Sequence, residues 1–89
     1  MGMVTVRYWA AAKQAAGLAE EKLRAGTLAE ALAAATAGRA SPAAVAAFAA
    51  VLARSSFLVD GIAVGSRAPE SVHLADAAII EVLPPFAGG

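Results

Sequence analysis

The chain is short and its charges balance. It has 89 residues, 60% hydrophobic and 16% charged, with seven lysine and arginine residues against seven aspartate and glutamate residues. This length allows one core, which argues against an enzyme with its own cofactor-binding domain. The scattered charges form no basic stripe, so we expect no nucleic-acid partner. Because cysteine is absent, disulfides and thiolate sites are excluded and a reducing cytoplasm is the expected location.

The hydrophobic content comes largely from 27 alanines. The longest charge-free stretch, Ala40 to Ala53, is too short and too rich in alanine to span a bilayer. We therefore expect no membrane partner, and we interpret this stretch as a buried helix.

The opening residues predict a strand from Met3 to Trp9, because β-branched and aromatic residues alternate there with period two. Three side chains are expected on the core face: Val4, Val6 and Tyr8. A short alanine-rich helix should follow at residues 10–16 and end at Gly17. A second strand is predicted over residues 18–24.

Two helix starts follow. Thr27 and Glu30 have the spacing of a capping box, and Gly38 is the expected end of that helix. Ser41 followed by Pro42 is an N-cap with proline at the first helical position, and this helix should end near Arg54.

The last third predicts a hairpin and a final strand. Asp60-Gly61 lies between two apolar runs, which is typical of a type I′ turn. Residues 79–83 form the final strand, which ends at Pro84-Pro85. Helices between strands indicate an α+β domain over residues 1–83, with the helices on one face of a mixed sheet and a flexible tail at 84–89.

Few residues offer catalytic chemistry. His73 stands alone, so we interpret it as a loop or surface histidine. Glu20 and Glu21 point to opposite sides of a strand, and a solvated face explains them better than acid–base catalysis. We assign them no role and expect no metal site and no catalytic site in the chain itself.

The C-terminal sequence has a different character. Pro84 and Pro85 stiffen the chain where it leaves the last strand. Ala87, Gly88 and Gly89 follow, and with so little side chain this segment would fit into a narrow channel. Most glycine-rich ends are simply frayed termini, and composition alone favours that interpretation.

Several motifs together resemble the ubiquitin-like sulfur carriers of the MoaD and ThiS group, above all the small subunit of molybdopterin synthase. The resemblance rests on the opening strand ending in Tyr8-Trp9, the Thr27-Leu28 helix start, the Leu58–Gly61 hairpin, the Leu74–Asp76 turn and the Leu83–Gly89 tail. It implies a β-grasp fold. One departure concerns the turn before the last strand, where the family tends to have Asp-Gly-Asp and this chain has Asp76-Ala77-Ala78, so the geometry of that turn is in question.

The resemblance also implies a chemistry for the tail. An E1-like adenylating enzyme would use ATP to activate the carboxylate of Gly89, with Gly88 giving access to the enzyme's site. A sulfurtransferase donor would then leave a thiocarboxylate, whose sulfur the large synthase subunit uses to convert a pyranopterin precursor. The chain itself would bind no cofactor.

A carrier also needs a docking surface, and we expect Trp9 and Leu83 to anchor it because both lie on the sheet face away from the helices. The remaining predicted partner contacts are Pro84, Pro85, Phe86 and Ala87. An alternative for Trp9 is a partly covered strand end, and Phe86 has the alternative of folding back on its own domain.

Three other functions stay open at this stage. The chain would fit a sulfur carrier for thiamine, cysteine or tRNA thiolation. It would also fit a ubiquitin-like modifier that forms an isopeptide bond through Gly89. The simplest alternative is an interaction module with an inert tail. The Pro84-Pro85 pair and the chain length favour molybdopterin synthesis.

Overall fold

The computed structural model describes residues 1–85, and Phe86 to Gly89 lie outside the described residues. Its strands are β1 (Gly2–Tyr8), β2 (Glu20–Ala25), β3 (Ser56–Val59), β4 (Ile62–Ala63) and β5 (Ile79–Leu83). Its α-helices are α1 (Ala11–Ala16), α2 (Leu28–Ala37) and α3 (Pro42–Ala53), and a 3-10 turn covers Pro69–Ser71. Within this part of the chain, no helix is long and apolar enough to cross a bilayer.

The five strands form one mixed sheet in the order β2-β1-β5-β3-β4. β1 and β5 are parallel, with Tyr8 opposite Val82, whereas the other neighbouring pairs are antiparallel. The last strand therefore lies in the middle of the sheet, between β1 and β3. Because β1 and β5 are parallel neighbours, their C-terminal ends lie side by side at the same end of the sheet.

One face of the sheet carries the core, as the alternation in β1 predicts. Its buried strand side chains are Val4, Val6, Tyr8, Ile80 and Val82. All three helices contribute buried residues to the same cluster, through Ala12, Leu28 and Phe48 among others. The expected α+β architecture, with helices on one face of a mixed sheet, is confirmed for residues 1–85.

Both capping signals form as predicted. The Thr27 hydroxyl accepts the Glu30 amide at 3.2 Å, while the Glu30 carboxylate accepts the Thr27 amide at 3.1 Å. Ser41 Oγ accepts the Ala44 amide at 3.1 Å, with Pro42 at the first helical position. These local bonds satisfy backbone donors that a helix leaves free at its N-terminus.

The predicted helix forms as α3, but the expectation that it is buried is wrong. In α3 only Phe48 is fully buried, and Val45, Val51 and Leu52 on the same side are half-buried. The rest of the helix surface consists largely of exposed alanines. The helix packs on the domain through one face, and alanine provides little apolar area to bury on the other.

The hairpin and the turn before β5 both use positive φ. Asp60 and Gly61 have φ of 50° and 81°, as a type I′ turn requires. In the turn that departs from the family pattern, Ala77 has φ of 66° and donates its amide to the Met3 carbonyl at 2.9 Å. An alanine thus occupies the left-handed position that glycine adopts at lower cost.

Candidate docking site at the end of the central strand

The predicted tail leaves the sheet from its central strand. Leu83, the last residue of β5, is half-buried and pairs with Ser56 at the start of β3. Pro84 is buried and Pro85 is exposed. Pro85, the last described residue, is therefore exposed just beyond the end of a strand that has neighbours on both sides.

Trp9 lies directly beside this exit. Its amide donates to the Val82 carbonyl at 3.3 Å, and its carbonyl accepts the Ala12 amide at 3.0 Å. The backbone is thus fixed between β5 and α1, while half of the residue's surface (50%) stays exposed. An exposed aromatic on a fixed backbone is a suitable anchor for a protein partner.

The backbone turns sharply after Trp9. Ala10 has φ of 50° and ψ of −124°, a conformation that side-chain-bearing residues rarely adopt. Such a residue costs about 1 to 3 kcal/mol and persists only where the surrounding structure enforces it. β1 consequently ends at Tyr8 rather than at Trp9, one residue earlier than the alternation predicts.

A groove of about 860 Å³ opens next to Trp9. One wall comes from Trp9, Ala10 and Lys13, and the other from residues 17–20, which comprise the connection between α1 and β2 and the first residue of β2. Leu18 on that connection is 38% exposed, so the groove offers an apolar side chain opposite the tryptophan. Sequence reasoning missed this groove because its two walls meet only when β1 and β2 pair.

Charged residues border the groove without dominating it. Arg7 Nε lies 3.5 Å from Glu20 Oε1, and both side chains are about half exposed. An exposed pair of this kind contributes roughly 0 to 1 kcal/mol. Lys13 on α1 is exposed at the same border. The site is therefore apolar at its centre and polar at its edge, as protein interfaces commonly are.

The sequence-based interpretation of Glu21 as a solvated residue is wrong. Glu21 lies on the core side of β2, where its carboxylate accepts hydrogen bonds from Arg39 Nη2 at 2.6 Å and from the Tyr8 hydroxyl. Burial and the neighbouring Glu21 carboxylate raise the pKa of Tyr8 above its usual range. Glu20, by contrast, is exposed as expected.

The predicted contacts fall into two groups. Trp9 and Leu83 lie close together at the end of the sheet, with Pro85 exposed and Pro84 buried beside them. The other predicted residues, Phe86, Ala87, Gly88 and Gly89, lie outside the described residues.

His73 is exposed and bridges Thr27 through its backbone, which confirms the surface interpretation. Across residues 1–85 no three His, Asp or Glu side chains gather as a metal site would require.

Comparisons with known proteins identify the fold. The chain matches no protein-family model and no curated protein sequence. Solved structures do match, including small archaeal modifier protein 1 from Methanosarcina acetivorans, with 22% identity, 100% of this chain and 98% of that chain covered, and a TM-score of 0.80.

Two further matches are molybdopterin-related proteins. A putative molybdopterin converting factor subunit 1 from Pyrococcus furiosus has 20% identity over 97% of this chain and 100% of that chain, with a TM-score of 0.73. Another structure is a complex of subunits 1 and 2 of molybdopterin-converting factor from Helicobacter pylori, matched with 22% identity over 98% of this chain and 99% of that chain, with a TM-score of 0.67. These neighbours establish that the chain has a ubiquitin-like β-grasp fold, which confirms the fold that the resemblance implies.

Proposed function

We propose that this chain is the sulfur-carrying small subunit of a molybdopterin synthase, acting in the cytoplasm. In this proposal the Gly89 carboxylate attacks the α-phosphorus of ATP within an E1-like enzyme, and pyrophosphate leaves. Sulfide released by a sulfurtransferase donor then attacks the acyl carbon of the adenylate, AMP leaves, and the new C–S bond gives a thiocarboxylate. The large subunit passes that sulfur to the pyranopterin precursor, and water supplies the oxygen that regenerates the Gly89 carboxylate.

The observation that carries the proposal is the position of Trp9 beside the end of β5, from which the Gly-Gly sequence follows in the chain. The tail follows the central strand of a β-grasp sheet, and the exposed Trp9 lies beside the point where that strand ends. A partner that binds Trp9 is therefore held next to the end of β5, where the tail begins. In this proposal the partners supply the catalytic groups, and the chain supplies the terminal carboxylate that carries the sulfur.

The large subunit is the proposed partner at Trp9. One structural neighbour is a complex of subunits 1 and 2 of a molybdopterin-converting factor, which supports a two-subunit assembly. Trp9, Leu18 and Leu83 supply the apolar surface at this edge. An aromatic side chain that becomes buried on binding, with polar residues around it, typically contributes a large share of the binding free energy of an interface.

The function is tested by reconstitution. The chain is loaded with sulfur in vitro by its adenylating enzyme, ATP and a sulfur donor, and then mixed with the large subunit and the pyranopterin precursor. We expect conversion of the precursor to molybdopterin, measured as its oxidised fluorescent derivative. Loaded chain that fails to convert the precursor, but supports thiazole formation or tRNA thiolation with the corresponding enzymes, would assign it to one of those pathways instead.

The docking surface is tested with Trp9→Ala. Truncation of a central aromatic anchor costs at least about 2 kcal/mol, so we expect the Kd for the large subunit to rise roughly thirtyfold. Ile62→Ala is the matched control, because Ile62 is exposed on β4, the edge strand at the opposite edge of the sheet from β2. Equal Kd values for the wild type and Trp9→Ala in titration calorimetry would remove Trp9 from the interface.

A second candidate function is protein modification. A structural neighbour is named small archaeal modifier protein 1, and adenylation of a terminal glycine precedes conjugation as well as sulfur transfer. The two functions differ in the final acceptor, which is a lysine amine for a modifier. Conjugates that appear as a ladder on a gel and depend on Gly89 would favour this alternative.

A further inference from the structure

Arg39 follows α2 and connects several elements through one side chain, which is only 5% exposed. Its Nε donates to the Ala35 carbonyl at 2.9 Å and its Nη1 to the Ala16 carbonyl at 2.5 Å. Its Nη2 donates to Glu21 Oε2 at 2.6 Å, and the guanidinium lies 4.9 Å from the centre of the Phe48 ring. These contacts join α2, α1, β2 and α3.

Two of these contacts lie at the ends of the groove wall. Ala16 is the last residue of α1 and Glu21 is the second residue of β2, and the wall formed by Gly17–Glu20 runs between them. Tyr8 holds the same segment, because its amide donates to the Ala19 carbonyl at 2.8 Å and its hydroxyl donates to Glu21. The wall that carries Leu18 is thus fixed at both ends.

We propose that Arg39 is a positioning residue for partner binding, which holds the Ala16 carbonyl and the Glu21 carboxylate at the spacing that keeps the groove beside Trp9 open. Arg39 itself is buried and lies outside the lining of the groove. It acts by preorganisation, since a wall already ordered in the free chain loses less conformational freedom on binding. The naming of the partner as the large subunit rests on the proposed function.

Arginine suits this role better than lysine does. The planar guanidinium presents donors in fixed directions and reaches three acceptors at once, whereas a lysine ammonium is a single point at the end of a flexible stem. Arg39→Lys keeps the positive charge beside Glu21 but loses the fixed directions of the guanidinium donors. We expect it to release the Ala16 carbonyl and loosen the wall.

The test compares Arg39→Lys with Ser41→Ala, which removes the cap of α3 and so destabilises the domain at a residue that does not line the groove. Trp9 is the sole tryptophan of the chain, so its fluorescence reports on the groove in the free protein. We expect Arg39→Lys to change the quenching of Trp9 by acrylamide and to speed exchange of the Gly17 amide, which donates to the Lys13 carbonyl at the start of the wall. We also expect it to raise the Kd for the large subunit roughly tenfold, the loss of about one net hydrogen bond.

Ser41→Ala should leave all three readouts as they are in the wild type. Unchanged quenching, exchange and Kd in Arg39→Lys would overturn the inference, and so would an equal loss of affinity in Ser41→Ala, because general destabilisation would then explain both. If the wild type fails to bind the large subunit, the proposed function fails. The quenching and exchange of the free chain then decide the role of Arg39 on their own.

Discussion

At the scale of single residues, Ala77 shows how a tight turn tolerates a side chain at a left-handed position. The turn before β5 keeps a left-handed residue although glycine is absent from it. The turn is held by hydrogen bonds from the Ala77 amide to Met3 and from the Thr5 amide to Ala78. These bonds to β1 keep the alanine in a conformation that costs it roughly 1 kcal/mol.

Ala77→Gly is therefore expected to stabilise the domain by about 0.5 to 1 kcal/mol, since glycine adopts this φ without steric cost. The neighbouring Ala75, which lacks a positive φ, is the matched control, and Ala75→Gly should destabilise. Denaturant unfolding of both variants gives the comparison. A loss of stability in Ala77→Gly would contradict the strained turn.

Tyr8 gives a second residue-scale prediction, which concerns pH. Burial and the hydrogen bond to Glu21 raise its pKa in the folded chain above the value of 10.0 usual for tyrosine. Above about pH 10 the unfolded chain therefore loses this proton while the folded chain keeps it. The contribution of Tyr8 to stability is complete below that pH and decreases as the pH rises.

We expect the free energy of unfolding of the wild type, relative to Tyr8→Phe, to fall by about 1.4 kcal/mol per pH unit above about pH 10. All other side chains are the same in both proteins, so their contributions cancel in the difference. Urea unfolding at a series of pH values measures it. Parallel profiles for the two proteins would show that Tyr8 ionises as easily in the folded chain as in the unfolded one.

The missed role of Glu21 shows what sequence reasoning lacked at this scale. Glu21 is two residues before the half-buried Leu23 and four before the buried Ala25, so alternation along β2 places it on the core side. This alternation could have been recognised from the sequence. Its partner Arg39 lies 18 residues further on, and only the packing of α2 against β2 brings the two together.

At the scale of elements, the helices were predictable because their signals are local. The Thr27 and Ser41 caps each act within three residues, and both form the expected bonds. Gly17 ends α1 in the left-handed conformation with φ of 82°, whereas Gly38 ends α2 with φ of −78°. Strand ends were predicted less well: β2 begins at Glu20 rather than at Leu18, because its start depends on pairing with β1.

The cap of α3 provides the element-scale prediction. Ser41→Ala removes the acceptor for the Ala44 amide and should cost about 1 kcal/mol of stability. Ser66→Ala is the control, since Ser66 is exposed in the loop after β4 and caps no helix. Thermal unfolding monitored by circular dichroism compares the two variants. Equal melting temperatures would mean that the cap adds nothing to α3.

At the scale of the whole molecule, the order of the strands connects the fold to the proposed function. Alternation predicted which face of β1 and β5 is buried, but it carries no information on which strands are neighbours. The resemblance supplied a β-grasp fold, and the structure then placed β5 between β1 and β3. This placement brings Trp9 to the start of the tail.

Deletion of Gly88 and Gly89 should separate function from folding. Because β5 ends at Leu83, the deletion leaves every described strand pair and core residue in place. We expect an unchanged melting temperature and complete loss of ATP–pyrophosphate exchange with the adenylating enzyme. A large fall in melting temperature would show that these residues belong to the folded domain.

The measurement that tests sulfur loading most directly is the intact mass of the chain purified from cells with and without the adenylating enzyme. Replacement of one oxygen of the Gly89 carboxylate by sulfur adds about 16 Da. We predict this increase, located on Gly89 by fragmentation, only in cells that contain the enzyme. An unmodified Gly89 in both preparations, with the tail intact and the sulfur donor present, would contradict the sulfur-carrier function.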